Sequence, residues 1–161
     1  MFGIRGLDGF GLAHAAIGII ALLLGFTVVL LRKGTALHRK VGLAYVGAML
    51  MLNLTALWIY DLTGRFGPFH VAALISLATL AAGYIAVRMR RRSADAIAVH
   101  GILMSWSYVG LIAAFFAELA VRVPGVGFSF GVLAATATAV LGGALLIHTR
   151  VPAIARALLR L

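Results

Sequence analysis

The chain has 161 residues, 63% of them hydrophobic and 11% charged, with a formal charge of +10 and a mean hydropathy of +1.11. These values exclude an ordinary soluble domain. Cysteine is absent, which excludes disulfides, iron–sulfur clusters and thiolate chemistry.

A helix needs about 20 apolar residues to cross a hydrocarbon core of about 30 Å. Five runs qualify, and continuous apolar runs lack the alternation a β-barrel requires. The first predicted helix, 10–31, is too long for a signal-peptide core and no small-x-small site follows it. It carries His14, with Gly18, Ala21 and Gly25 beneath it at helical spacing.

A basic turn containing Gly34 leads to Thr35, an expected N-cap. The second helix is expected over 38–60, with His38, Gly42, Tyr45, Met49, Asn53, Ala56 and Tyr60 along one face. Gly64, Gly67 and Pro68 mark the next turn, with Pro68 suited to a first helical turn. The third helix, 66–88, aligns His70, Ala73, Leu77, Ala81 and Tyr84. Ser93 or Asp95 should cap the fourth helix, 96–121, whose stripe is His100, Met104, Ser107, Leu111, Ala114 and Glu118. Glu118 and Arg122 are four apart, the spacing of an intrahelical ion pair.

The fifth helix, 126–148, is rich in glycine and alanine, which suits close packing. Its His148 reads as an interface residue. The tail, 152–161, carries Arg156 and Arg160 among apolar residues, and suits either an interfacial helix or a solvated basic segment.

The expected fold is therefore all-α: an integral membrane up-down bundle of five transmembrane helices, a four-helix core plus a fifth, in a single domain spanning 1–161. Eleven of the fourteen basic residues fall on one side of that topology. By the positive-inside rule the N-terminus is out and the C-terminus in, as for a bacterial inner-membrane protein. The charge excess then serves topology and contact with anionic lipids, and nucleic acid is not an expected partner. A homodimer is compatible with so many small residues.

Four successive predicted helices each contribute one histidine near their start. Because the starts alternate between leaflets, His14 and His70 share the outer side, and His38 and His100 the inner. A rise of about 1.5 Å per residue puts the two layers roughly 20 Å apart. A b-type haem needs two neutral imidazoles on facing helices and cationic partners for its propionates. Two haems bound by His14/His70 and His38/His100, with Arg39 and Arg122 among the propionate partners, would carry electrons across the membrane to an unspecified redox partner.

The same residues allow a divalent ion held by His14 and His70 with Asp61 or Glu118. They also allow a small transporter, or histidines that only hold the bundle together. Hydrolytic and nucleotide-binding motifs are absent: there is no HExxH, GxSxG, P-loop or Rossmann glycine pattern.

The segment Lys33-Gly34-Thr35-Ala36-Leu37-His38-Arg39-Lys40-Val41-Gly42, continuing to Tyr45, resembles the K-G-x-x-x-H-R-x-x-G-x-x-Y signature of a bacterial membrane family, domain of unknown function 2306. Arg92-Ser93-Ala94-Asp95 followed by His100, Met104, Tyr108 and Arg122 resembles its second block, and His14 with Gly18 its opening helix. Where that family usually has basic residues just after the second-block histidine, Gly101 and Ile102 stand here. The resemblance runs from about Ala13 to Arg122 and implies a multi-pass membrane protein without implying an activity. In layout alone the chain is similar to the cytochrome b561 type, which implies two haems between four core helices with alternate helices paired.

Overall fold

The computed structural model describes residues 9–60, 64–89, 93–125 and 127–159, and among them five helices and no strand. The helices are α1 (Gly9–Leu30), α2 (Ala36–Ala56), α3 (Pro68–Met89), α4 (Ala94–Ala120) and α5 (Phe128–Leu159). In hydrocarbon every backbone N–H and C=O must be paired within its own segment, so long apolar runs form helices. Four of these helices are long and apolar enough to cross a membrane: α1, α3, α4 and α5.

The remaining helix, α2, ends earlier than its composition suggests. The expected helix continued to Tyr60, but Leu57 caps α2, and Trp58 and Ile59 bond back only three residues. From Val41 to Ala56 the apolar part is roughly 24 Å long, short of a full hydrocarbon core. Arg39 and Lys40 precede it, while Trp58 lies largely exposed beyond its end.

The chain forms two compact units, Met1–Leu77 and Ala78–Leu161, divided within α3. In the first, α1 and α2 pack as an antiparallel pair. Gly34, at φ +80°, makes the left-handed turn between them. Lys33 closes α1 by donating from Nζ to the carbonyls of Val28, Val29 and Leu31 at 2.8, 2.7 and 3.2 Å. Those carbonyls have no partner within the helix, and a cation complements the negative end of the helix dipole. Burial nevertheless pushes the Lys33 ammonium below the ordinary lysine pKa.

Thr35 caps α2 as expected, its Oγ1 accepting from the backbone N–H of His38 at 3.1 Å. The buried stripes follow the sequence pattern. Ala21 and Gly25 face inward from α1, and Tyr45, Met49 and Asn53 from α2. Asn53 Nδ2 donates to Met49 O at 2.7 Å and to Ser76 Oγ at 3.1 Å, which joins α2 to the first half of α3.

In the second unit α5 packs on α4, and α4 meets the second half of α3. Ser93 is the N-cap of α4, accepting from Ala96 N at 3.1 Å. Two glycines set the spacing here. A Cβ on Gly83 would stand 3.1 Å from Leu103 Cβ and Met104 Sδ, and one on Gly143 would overlap the methyls of Val109. The inward face of α3 differs from expectation by one position: Leu80 is buried and Ala81 exposed, because 70, 73, 77, 80 and 83–84 keep the helical period.

Helix α5 runs on through Pro152 to Leu159, so no break separates the expected tail from the expected helix 126–148. Proline lacks an N–H, so the carbonyl of His148 loses its usual partner there. Large apolar side chains on the outer faces, such as Leu23, Leu30, Phe130 and Leu141, are exposed in a manner suited to lipid contact.

Candidate functional site

His14, His38, His70 and His100 fall into two classes by helix position. His38 and His70 are each the third residue of their helix, while His14 is the sixth residue of α1 and His100 the seventh of α4. The near-uniform depth expected for His14, His70 and His100 is thus corrected. His70 sits about one turn nearer its helix start, because α3 begins only at Pro68.

The deeper pair bonds across to a neighbouring helix. His14 Nδ1 lies 2.7 Å from Thr55 Oγ1 near the end of α2. Thr55 can direct its own hydroxyl proton to Met51 O at 3.0 Å or Leu52 O at 2.9 Å. With that proton on a carbonyl, the Thr55 oxygen accepts from Nδ1–H of His14; with it turned to the ring, Nδ1 accepts. His100 Nδ1 lies 2.8 Å from Gly83 O. A carbonyl can only accept, so His100 carries its proton on Nδ1. In a neutral imidazole that leaves the lone pair on Nε2, the tautomer of an Nε2-ligating histidine with its outer nitrogen anchored.

His70 takes the opposite tautomer. Gly67 immediately precedes α3, and its backbone N–H donates to His70 Nδ1 at 3.1 Å. This is the return bond of a capping box, made by imidazole in place of the usual Glu or Gln. With the Nδ1 lone pair occupied, the neutral ring carries its proton on Nε2. That nitrogen is buried and has no hydrogen-bond partner among the described residues, in a residue only 3% exposed. A stranded buried donor costs about 1–3 kcal/mol. The rings of Tyr60 and Phe66 flank the imidazole, with centroids 4.5 and 4.9 Å away and tilts of 37° and 32°.

The remaining candidates are placed as follows. His38 is half-buried in the first unit, and His100 half-buried in the second. Arg39 donates from Nη1 to Gly34 O at 2.9 Å, tying the α1–α2 turn. Arg122 Nη2 meets Glu118 Oε1 at 2.8 Å, the expected intrahelical pair, and its Nη1 reaches Glu118 O at 2.7 Å. His148 is exposed in the second half of α5. Asp61 lies outside the described residues, as do Arg5, Arg90, Arg91, Arg92 and Arg160, and the side chain of Arg156.

Among the described residues no group of three or more His, Asp or Glu is placed to hold a metal ion. Of the two carboxylates expected for a divalent site, Glu118 pairs with Arg122 and Asp61 lies outside the described residues. Space beneath the histidines is uneven. A Cβ on Gly18 would touch Leu52 Cδ1 at 3.5 Å, while Gly42 has open space around it.

Sequence reasoning passed over Thr55, the Gly83 carbonyl, the Gly67 N–H and the Tyr60–Phe66 ring pair. Only one of these had a signal in the sequence: a residue three positions after a glycine that precedes a proline-started helix is in place to cap it.

A family model described as predicted membrane protein (DUF2306) matches residues 11–155. The chain belongs to this family. No curated protein and no solved structure matches it. Membership accords with the resemblance carried by the 33–45 and 92–122 segments, while the likeness of layout to the cytochrome b561 type has no counterpart in these comparisons.

Proposed function

We propose that this family member is a multi-pass protein of the bacterial inner membrane, with five membrane-crossing helices and the N-terminus outside, that binds b-type haem and carries electrons. The supporting observation is the hydrogen bond from His100 Nδ1 to Gly83 O at 2.8 Å, which leaves the Nε2 lone pair available to a ligand. His14 Nδ1 is likewise anchored, on Thr55 Oγ1 at 2.7 Å. Bound haem would supply one-electron chemistry, and the chain would orient the imidazoles and exclude water.

The outer pair does not fit as the sequence suggested. His70 cannot ligate through Nε2 while its Nδ1 accepts from Gly67, so the ring must turn and forfeit the cap. The proposal therefore rests first on His100 and His14, with His38 and Arg39 as further candidates at the inner side.

The test is an absorbance spectrum of protein purified from haem-replete cells, oxidised and then reduced with dithionite. Soret and α bands that weaken in His100→Ala and in His14→Ala are expected, whereas a colourless protein sinks the proposal. Topology is read separately, by labelling single cysteines placed at Arg32 and Arg65. Arg32 should react only from the inner side and Arg65 only from the outer.

A second reading has its own observation in favour. The ring bonds of His14 to Thr55, His70 to Gly67 and His100 to Gly83 each fasten a helix to a neighbour or close its end, so the histidines could serve the bundle alone. Elemental analysis separates the cases: iron supports haem, another metal supports an ion site, and neither supports a purely structural role.

A further inference from the structure

We infer that the start of α3 is a binding site for a neutral, lipid-soluble carbonyl compound of the quinone class, with His70 Nε2–H as its hydrogen-bond donor. The inference is independent of haem, because it concerns the histidine whose tautomer is wrong for metal ligation. The bond from Gly67 N–H holds the Nδ1 lone pair and so places the ring proton on Nε2. That donor is buried without an acceptor among the described residues.

Capping alone does not call for this arrangement. A Glu at the same position would make the return bond and strand no donor. A donor kept in apolar surroundings is matched by an acceptor arriving from outside the chain. A neutral imidazole suits an uncharged oxygen, which points to a carbonyl. Two flat rings contact the imidazole, those of Tyr60 and Phe66, and each keeps a large exposed surface (42% and 54%). A planar ring with a carbonyl edge matches both features. A compound of that kind would reach a membrane helix end by partitioning into the bilayer.

Menadione is the probe, titrated into the full-length protein in lipid nanodiscs. Trp58, largely exposed two residues before Tyr60, reports by fluorescence quenching in a Trp106→Phe background. Saturable quenching is expected, with affinity about tenfold weaker in His70→Glu and in His70→Leu. The Glu variant retains the helix cap, so a folding defect in the Leu variant leaves the test intact. Nitrogen-15 NMR of the imidazole should show Nε2 protonated, with its proton signal moving on menadione addition. Quenching that is linear and equal in all three proteins indicates simple partitioning and overturns the inference. So does saturable quenching unchanged by either variant, or an Nε2 proton already bonded to water and unmoved by the quinone.

Discussion

The imidazole of His70 accepts a hydrogen bond from the backbone N–H of Gly67, three residues earlier, at 3.1 Å. This contact starts α3, fixes the tautomer of a buried histidine and removes that histidine from any set of Nε2 ligands in the observed arrangement.

The cap should be measurable as stability. Gln at position 70 offers an acceptor to the Gly67 N–H, whereas Leu fills similar space and offers none. His70→Leu should be less stable than His70→Gln by about 1 kcal/mol, the usual worth of a cap interaction. Thermal unfolding in detergent gives the comparison, and equal stability of the two variants would rule out the cap.

The close approach of α5 to α4 at Gly143 leaves no room for a methyl group beside Val109. Gly143→Ala should destabilise by about 1–3 kcal/mol, the range for an overpacked core. Adding Val109→Ala should recover most of that loss. Purely additive losses in the double variant would show that the two residues do not meet.

Coupling between His14 and Thr55 is accessible through a double-mutant cycle with His14→Phe and Thr55→Val. Interhelical hydrogen bonds in membranes average about 0.6 kcal/mol and reach about 1.7 kcal/mol. A coupling energy in that range is expected. A value indistinguishable from zero would contradict the contact at 2.7 Å.

The Lys33 ammonium, lowered by burial from its ordinary value of 10.5, sets a pH dependence in the alkaline range. Between the folded-state value and 10.5 the unfolded chain binds more of this proton, so stability rises with pH across that window. Below it, the cost of burying the charge is fully present. Subtracting the unfolding profile of Lys33→Met from that of the native protein should leave this upward slope. A flat difference, or one that falls with pH, would show that Lys33 is not buried in the charged form.

The helical class, most of the inward faces and several helix ends were legible in the amino-acid sequence. Apolar runs in lipid have few alternatives to helix, and the 3.6-residue period places Ala21, Tyr45, Met49, Asn53, Ser107 and Leu111 on buried sides. Thr35, Ser93 and Pro68 mark helix starts through local chemistry that needs no partner helix. The end of α2 was less legible, because Leu57, Trp58 and Ile59 are as apolar as the helix before them and composition records no stop.

The bonds the histidines make follow from tertiary contacts. An imidazole can donate or accept at either nitrogen, and its role depends on which backbone or hydroxyl group another element brings within 3 Å. Thr55 is 41 residues from His14, and Gly83 is 17 from His100. No periodicity in the chain encodes those meetings. They separate His14 and His100, whose Nδ1 atoms meet a hydroxyl and a carbonyl of another helix, from His70, whose Nε2 proton has no acceptor among the described residues.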